Sequence, residues 1–267
     1  RQKKGKQIML RAMDSAVAGL RAHQNKMDVV GHNIANVNTD GFKAQTYTFK
    51  EAMYQTSTAS TGNNGTAGGV NAAQYGYGTL MGTIGMDMTA STPTYRGGFN
   101  ASIDGEGFFL VMTTAVKDGI DTTDPDALKA ASFYYTRVGQ FSVDSSGYVV
   151  DGNGNFVYGY QPSDPITGKV ETDKLNKLVP LRAPSKLPDT GTIKDVAFDY
   201  DPQNTDVEKL GNIQIDNTGK ISASIEIGEK SQTIYLGTIG IATFQNPNGL
   251  AKVGNNYYVT NAGDNTG

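Results

Sequence analysis

The sequence predicts a mainly β protein with one long N-terminal α-helix, a β-rich body on a helical arm. Three observations carry that expectation. An unbroken helical stripe opens the chain: Leu10, Met13, Val17, Leu20, Met27 and Ile34 recur at alternating three- and four-residue steps, with Gln24 and Gly31 in the two remaining places. No second stripe of this kind follows. With 33 Gly and 14 Tyr, and Thr and Asn throughout, the rest of the chain favours short strands joined by turns over further helices. A hairpin pattern, apolar-x-apolar-Asp-x-x-Gly-x-apolar, occurs at 141–149 and again at 213–221.

Residues 1–8 are basic, and neither an apolar run nor a cleavage site follows, so they are no secretory signal. They are read as a non-native leader ahead of a start at Met9. Residues 9–37 form the amphipathic helix. A second row, Ala16, Leu20, His23, Met27, Val30, Ile34 and Val37, runs beside the stripe, so the apolar face is wide and calls for a partner. Asn36, Asn38, Asp40 and Gly41 tolerate turn conformations and stop the helix there. Residues 38–98 are expected to be a connector with extended and loop segments. Within it, 43–54 is strand or extended chain, 55–69 an exposed loop without apolar anchors, and 75–85 recovers β character.

Residues 99–267 are expected to be the β-rich body. Strands are predicted at 108–111, 133–136, 140–143, 148–150 and 156–160, with an acidic loop at 118–126. The turns are Asp144-Ser145-Ser146-Gly147 and Asp151-Gly152-Asn153-Gly154, in which Asp accepts turn N–H groups and Gly supplies a positive φ. A loop-rich excursion covers about 161–209, with one short strand at 178–181. Then come the second copy of the hairpin, strands at 225–228, 233–236, 239–244 and 257–260, and a turn at Asn246-Pro247-Asn248-Gly249.

The sequence offers little chemistry. Without Cys there is no disulfide and no thiol nucleophile. The only histidines, His23 and His32, lie nine residues apart on the helix, where a ligand pair needs three or four. Asp151 to Asn155 begins like a calcium loop, but Phe156 and Pro162 stand where that loop requires Gly and Glu. Gly76, Gly78 and Gly82 do not fit a dinucleotide fingerprint. No catalytic, cofactor-binding or metal residues are therefore assigned, and no cofactor is expected. The net charge of −3 is dispersed, which argues against a nucleic-acid groove. No run is long and apolar enough to span a membrane as a helix. A secreted β-rich carbohydrate-binding or carbohydrate-active module is a remote alternative; it would need paired carboxylates in a cleft or an aromatic platform.

The segment Gly31-His32-Asn33-Ile34-Ala35-Asn36-Val37-Asn38-Thr39-Asp40-Gly41-Phe42-Lys43 resembles the N-terminal signature of the flagellar rod and hook protein family, roughly NNIANxNTxGFK. His32 stands where that family usually has Asn. Ile103-Asp104-Gly105-Glu106-Gly107-Phe108-Phe109, Tyr135-Thr136-Arg137-Val138-Gly139-Gln140-Phe141 and the stretch from Ile239 to Tyr258 are similar to further family segments in the same order. The wording of Phe244 to Leu250 and of Asn71 to Gly78 looks more hook-like than distal-rod-like.

The resemblance implies a structural subunit, not an enzyme, of the bacterial flagellar axial structure. It implies self-assembly into a helical tube, in the hook a flexible joint that transmits torque. The implied partners are further copies of the chain, neighbouring rod, junction and cap proteins, and the flagellar type III export machinery. The implied location is the flagellar basal body and hook, outside the cell after export without a cleaved signal. Family members end in a second long helix that packs on the first; this sequence stops where that part would begin and is read as lacking it. The stripe Leu10, Met13, Val17, Leu20, Met27 and Ile34 then becomes the expected assembly interface. Asn33, Asn36, Asn38, Gly41, Phe42 and Lys43 become the corner where the chain leaves the helix.

Overall fold

A computed structural model describes residues 2–62, 65, 68–89, 99–171, 174–184, 210–227, 230–261 and 266, with side chains from Arg11 onward in the opening helix. The chain divides into two compact units, Arg1–Asp87 and Met88–Gly267.

The first unit contains α1 (Gln2–Ala35) and four strands: β1 (Gln45–Glu51), β2 (Tyr54–Thr58), β3 (Ala73–Gly76) and β4 (Thr79–Met86). β1 pairs antiparallel with β4 and β2 with β3. Backbone bonds from Ala52 N to Gly78 O (2.9 Å) and from Tyr77 N to Met53 O (3.1 Å) join the two ladders into one long ribbon. The ribbon closes at its base where Asp87 N donates to Ala44 O (2.9 Å).

Two expectations change here. The helix continues upstream to Gln2 through Gln and Lys, which are good helix formers, and ends at Ala35 rather than at 37. The loop expected at 55–69 is in part strand: Gln55 and Thr56 lie in β2 and pair with Tyr75 and Gln74, and Thr61 bridges Val70. Every residue of β2 and β3 is exposed, so no alternation of apolar and polar residues marked them. Cross-strand hydrogen bonds do the pairing instead, among them Gln74 Nε2 to Thr56 Oγ1 (3.1 Å) and the Tyr77 hydroxyl to Gln55 Oε1 (2.8 Å).

The second unit holds β5 (Phe108–Met112), β6 (Ile120–Asp121), α2 (Pro125–Ala130), β7 (Tyr134–Thr136), β8 (Phe141–Val143), β9 (Val149–Asp151), β10 (Phe156–Tyr160), β11 (Lys177–Pro180), β12 (Leu210–Ile215), β13 (Lys220–Ile227), β14 (Lys230–Ile239), β15 (Ile241–Ala242), β16 (Ala251–Gly254) and β17 (Tyr257–Val259). The strands form one sheet system, with the main path β12-β13-β14-β10-β5-β7-β17-β16.

β5 and β10 explain why the strand at 108–112 is apolar without a break. Successive side chains of a strand point to opposite faces. Phe109 and Val111 of β5 and Val157 of β10 enter one core with Ile221, Ile225, Ile234 and Leu236. Leu110, Met112 and Tyr158 enter a second core with Ile120, Phe133 and Leu178, on which Ala127 and Leu128 of α2 pack. Both faces are covered, so both sets are apolar.

Among the described residues the Asp-x-x-Gly turn occurs three times with one geometry. Asp144, Asp151 and Asp216 each place Oδ1 to accept the backbone N–H groups two and four residues on, at 2.7–3.0 Å. Gly147, Gly154 and Gly219 hold φ of 85°, 82° and 77°. At Asp216 burial pushes the carboxyl up, but bonds from Thr218 and Lys220 outweigh it and hold the pKa below the usual carboxylate value.

Other expectations are refined. The acidic loop at 118–126 contains the start of α2, capped by the Asp124 carboxylate accepting Asp126 N (2.9 Å) with Pro125 in the first turn. The residues expected as strands at 233–236 and the start of 239–244 belong to the long β14, which pairs with β13, and β15 follows it. β6 and β16 are additional. Residues 185–209 of the expected loop-rich excursion lie outside the described residues.

Candidate assembly surface

α1 has two working faces. One packs on its own ribbon. Ala22 and Val29 are buried there, and Arg11, Ser15, Ala18 and Asn33 are half-buried. Apart from the seven-residue step from Ala22 to Val29, these positions are themselves spaced three and four apart. Small side chains let the backbones approach closely: a Cβ built on Gly78 (φ 94°) would lie 2.9 Å from Ser15 O. Farther along, the His23 ring stands 5.0 Å from the Phe49 ring and Lys26 Nζ lies 5.3 Å from it.

The stripe lies two residues further round, at about 200° on a helix of roughly 100° per residue. It is open: Met13 is 63% exposed, Val17 44%, Leu20 71%, Met27 67% and Ile34 67%. The side chain of Leu10 lies outside the described residues. Val30 and Val37 of the second row are exposed as well. The apolar face predicted from periodicity is thus not the face that the chain itself covers.

The corner residues do different jobs. Asn33 clasps the first residue of β1: its Oδ1 accepts Gln45 N (2.9 Å) and its Nδ2 donates to Gln45 O (2.8 Å). Asn36 Nδ2 donates to His32 O (2.9 Å), and its Oδ1 accepts from Thr39 Oγ1 (3.2 Å). Gly41 turns the chain with φ 70°. Phe42 sets its ring edge-on to His32 at 5.5 Å, Lys43 is buried, and Asn38 is exposed. Val30, Asn33, Ile34, Val37, Thr39 and Phe42 line an open groove of ≈ 460 Å³ that continues the stripe to the corner.

Among the described residues of the body, Tyr257 stands in a tight polar cluster. The Tyr257 hydroxyl donates to Asp151 Oδ2 and accepts from Asn153 Nδ2 (2.7 Å) and Asn155 Nδ2 (2.8 Å). Burial and the bond to the Asp151 carboxylate push the Tyr257 pKa up to about 12. This ties β17 to the turn before β10. Among the described residues, no group of three or more His, Asp or Glu is arranged to hold a metal, and no helix is long and apolar enough to cross a membrane.

Sequence reasoning found the stripe and the corner but missed the packed line. Its residues are too small and too polar to stand out by hydrophobicity. Their heptad spacing, at Arg11, Ser15, Ala18, Ala22, Val29, Asn33 and Asn36, was the available signal.

A helix with one face packed on a β ribbon and an exposed heptad seam on the other, in a chain that also holds a β-rich unit, fits the class of structural subunits. The comparisons agree. Residues 13–43, which hold the stripe and the corner, match the family model for flagella basal body rod proteins. The chain is 34% identical over 251 residues to the flagellar basal-body rod protein FlgG of Bacillus subtilis, spanning 94% of this chain and 73% of that protein. It is 25% identical to FlgG of Caulobacter vibrioides over 95% of this chain and 75% of that protein. It is also 35% identical over 158 residues to the flagellar hook protein FlgE of Treponema pallidum, covering 58% of this chain and 31% of that protein. The chain belongs to the flagellar rod and hook protein family, and so to the structural proteins of the flagellar axis.

Proposed function

We propose that this chain self-assembles into the flagellar hook, with the exposed α1 stripe as its main longitudinal contact. The observation that carries the reading is the exposure of Met13, Leu20, Met27 and Ile34 on a helix whose opposite face is already packed. Burying such a face gains roughly 25 cal/mol per Å² of apolar area, which favours association. The hook-like wording of Phe244 to Leu250 and the similarity to hook proteins support this place in the axis. Export through the flagellar type III apparatus and contacts with rod, junction and cap proteins belong to the same proposal. So does the role of Asn33, Asn36, Asn38, Gly41, Phe42 and Lys43 as the corner that fixes how the helix leaves the ribbon.

A second reading, the distal rod, has an observation of its own: the rod relatives align over nearly the whole chain, the hook relatives over a smaller part. Expressing the full-length gene in strains lacking either the hook or the distal rod subunit separates the two. Restored hooks only in the first strain support the proposal; restored rods only in the second overturn it in favour of the rod. Leu20→Glu tests the stripe itself. Assembly unaffected by that substitution would remove the stripe from the interface.

A further inference from the structure

The stripe that α1 leaves open holds two thioethers. Met13 and Met27 are both exposed and lie two heptads apart on one line of the helix, with Leu20 between them and Ile34 beyond. Oxidation converts the flexible apolar side chain of methionine into a polar, chiral sulfoxide. Leu20 and Ile34 offer no such chemistry. Met13 and Met27 are therefore the places on this line where an apolar surface can be made polar by one reaction. Two other methionines serve as internal references. Met112 is 6% exposed, inside the body, and Met53 is 80% exposed, on the ribbon between β1 and β2.

We propose that Met13 and Met27 are a modification site for peroxide, and that their sulfoxides hold the chain in its unassembled state. The inference rests on the stripe being an assembly surface and adds how that surface is regulated. The step is an oxygen transfer. The thioether sulfur attacks one peroxide oxygen, an S–O bond forms and the O–O bond breaks. The proton on the transferred oxygen passes to the departing one, which leaves as water. Sulfur is oxidised and the peroxide reduced by the same two electrons. Access selects the target: the two side chains are open in the free chain, and burial in a contact closes them. The modification thus acts before assembly and is shut out after it. Each sulfoxide forfeits the gain from burying the side chain and brings a polar oxygen into a dry contact, where it costs free energy unless a donor meets it. The fold itself is spared, because both residues lie off the line that α1 packs on its ribbon.

The test uses the full-length protein, purified unassembled and treated with dilute hydrogen peroxide. Peptide mass mapping is expected to find Met13, Met27 and Met53 as sulfoxides while Met112 stays reduced. Self-association, followed by sedimentation, should fall on the order of a hundredfold, about tenfold for each lost methionine burial, and thermal unfolding should not change. Methionine sulfoxide reductases should restore association. Met13→Leu/Met27→Leu keeps size and apolar character and should assemble equally before and after peroxide. Met53→Leu should stay as sensitive as the parent. Undiminished association of a chain oxidised at both stripe positions, or a peroxide response of Met13→Leu/Met27→Leu equal to the parent's, overturns the inference. So does peroxide that converts Met53 and leaves Met13 and Met27 reduced. Should the double variant associate poorly from the start, loss and reductase rescue in the parent, matched to sulfoxide at Met13 and Met27, decide alone. Failure of the proposed function shows separately, as normal association of Leu20→Glu; when that substitution blocks association and peroxide does not, the stripe stands as an interface and the modification site falls.

Discussion

Asn33 and Gln45 are joined by two hydrogen bonds, the Asn33 side-chain amide matching both the N–H (2.9 Å) and the C=O (2.8 Å) of Gln45 as a neighbouring strand would. The last turn of α1 is thereby fixed to the first residue of β1. Asn33→Leu leaves both backbone groups without that partner. Unsatisfied groups of this kind cost about 1–3 kcal/mol when buried, and this site is half-buried, so the lower end is expected. Asn33→Asp keeps the acceptor and loses the donor, and should fall between. Hydrogen exchange at the Gln45 amide, together with thermal unfolding, checks the order: parent, Asp, Leu.

The two faces of α1 should respond oppositely to substitution. Leu20→Glu, on the exposed stripe, should leave the unfolding free energy of the isolated chain within about 0.5 kcal/mol of the parent and prevent assembly. Ala22→Leu, at a position 4% exposed against the ribbon, should cost about 1–3 kcal/mol by overpacking. Chemical denaturation of both variants, paired with electron microscopy of assemblies, distinguishes these results.

How much of this was legible turns on particular residues. Met13, Leu20, Met27 and Ile34 show in the sequence because large apolar side chains repeat at the helical period. Asp144, Asp151 and Asp216 show because an Asx turn needs a short acceptor at one place and a positive φ three residues on. Ser15, Ala18 and Ala22 do not show, because close packing selects small size, and hydropathy is blind to that. β2 and β3 do not show either. Both of their faces meet solvent, so no polarity pattern is written into them. The cap of α2, Asp124 followed by Pro125, was readable but is easily taken for a loop, since acidic residues and Pro serve both.

The Asp-x-x-Gly turns should depend on the carboxylate more than on the residues between. Asp216→Ala removes the acceptor for Thr218 N and Lys220 N and should destabilise the body by about 0.5–1.5 kcal/mol; Asn217→Ala should be nearly neutral. Because the folded pKa of Asp216 lies below its unfolded value, its contribution is present above the unfolded pKa and fades as pH falls through the folded one. Unfolding followed from neutral to strongly acidic pH should show that slope in the parent and a reduced slope in Asp216→Ala.

Tyr257 acts at the other end of the pH scale. Its folded pKa of about 12 lies above the ordinary tyrosine value of 10.0. Its contribution is therefore complete below pH 10 and is lost as pH rises through 12. Tyr257→Phe should flatten stability across that window and should lower it at neutral pH, since the Asp151 carboxylate and the Asn153 and Asn155 amides lose their shared partner. Denaturant melts at neutral and alkaline pH give the comparison.

The doubly covered strand pair β5 and β10 has a consequence for how the body finds its alignment. Where one side of a sheet is wet, a slip by one residue exposes an apolar set and is penalised at once. Here a slip of β5 would trade Phe109 and Val111 for Leu110 and Met112, apolar for apolar, and solvation would hardly register the error. The correct alignment must instead be imposed from the ends and by shape: by turns of fixed length at Asp144 and Asp151, and by Gly159, where any Cβ would come within 2.1 Å of Thr238 O. Conservative swaps among the buried residues of β5 should then be forgiven, whereas inserting a single residue into either turn should scramble the body.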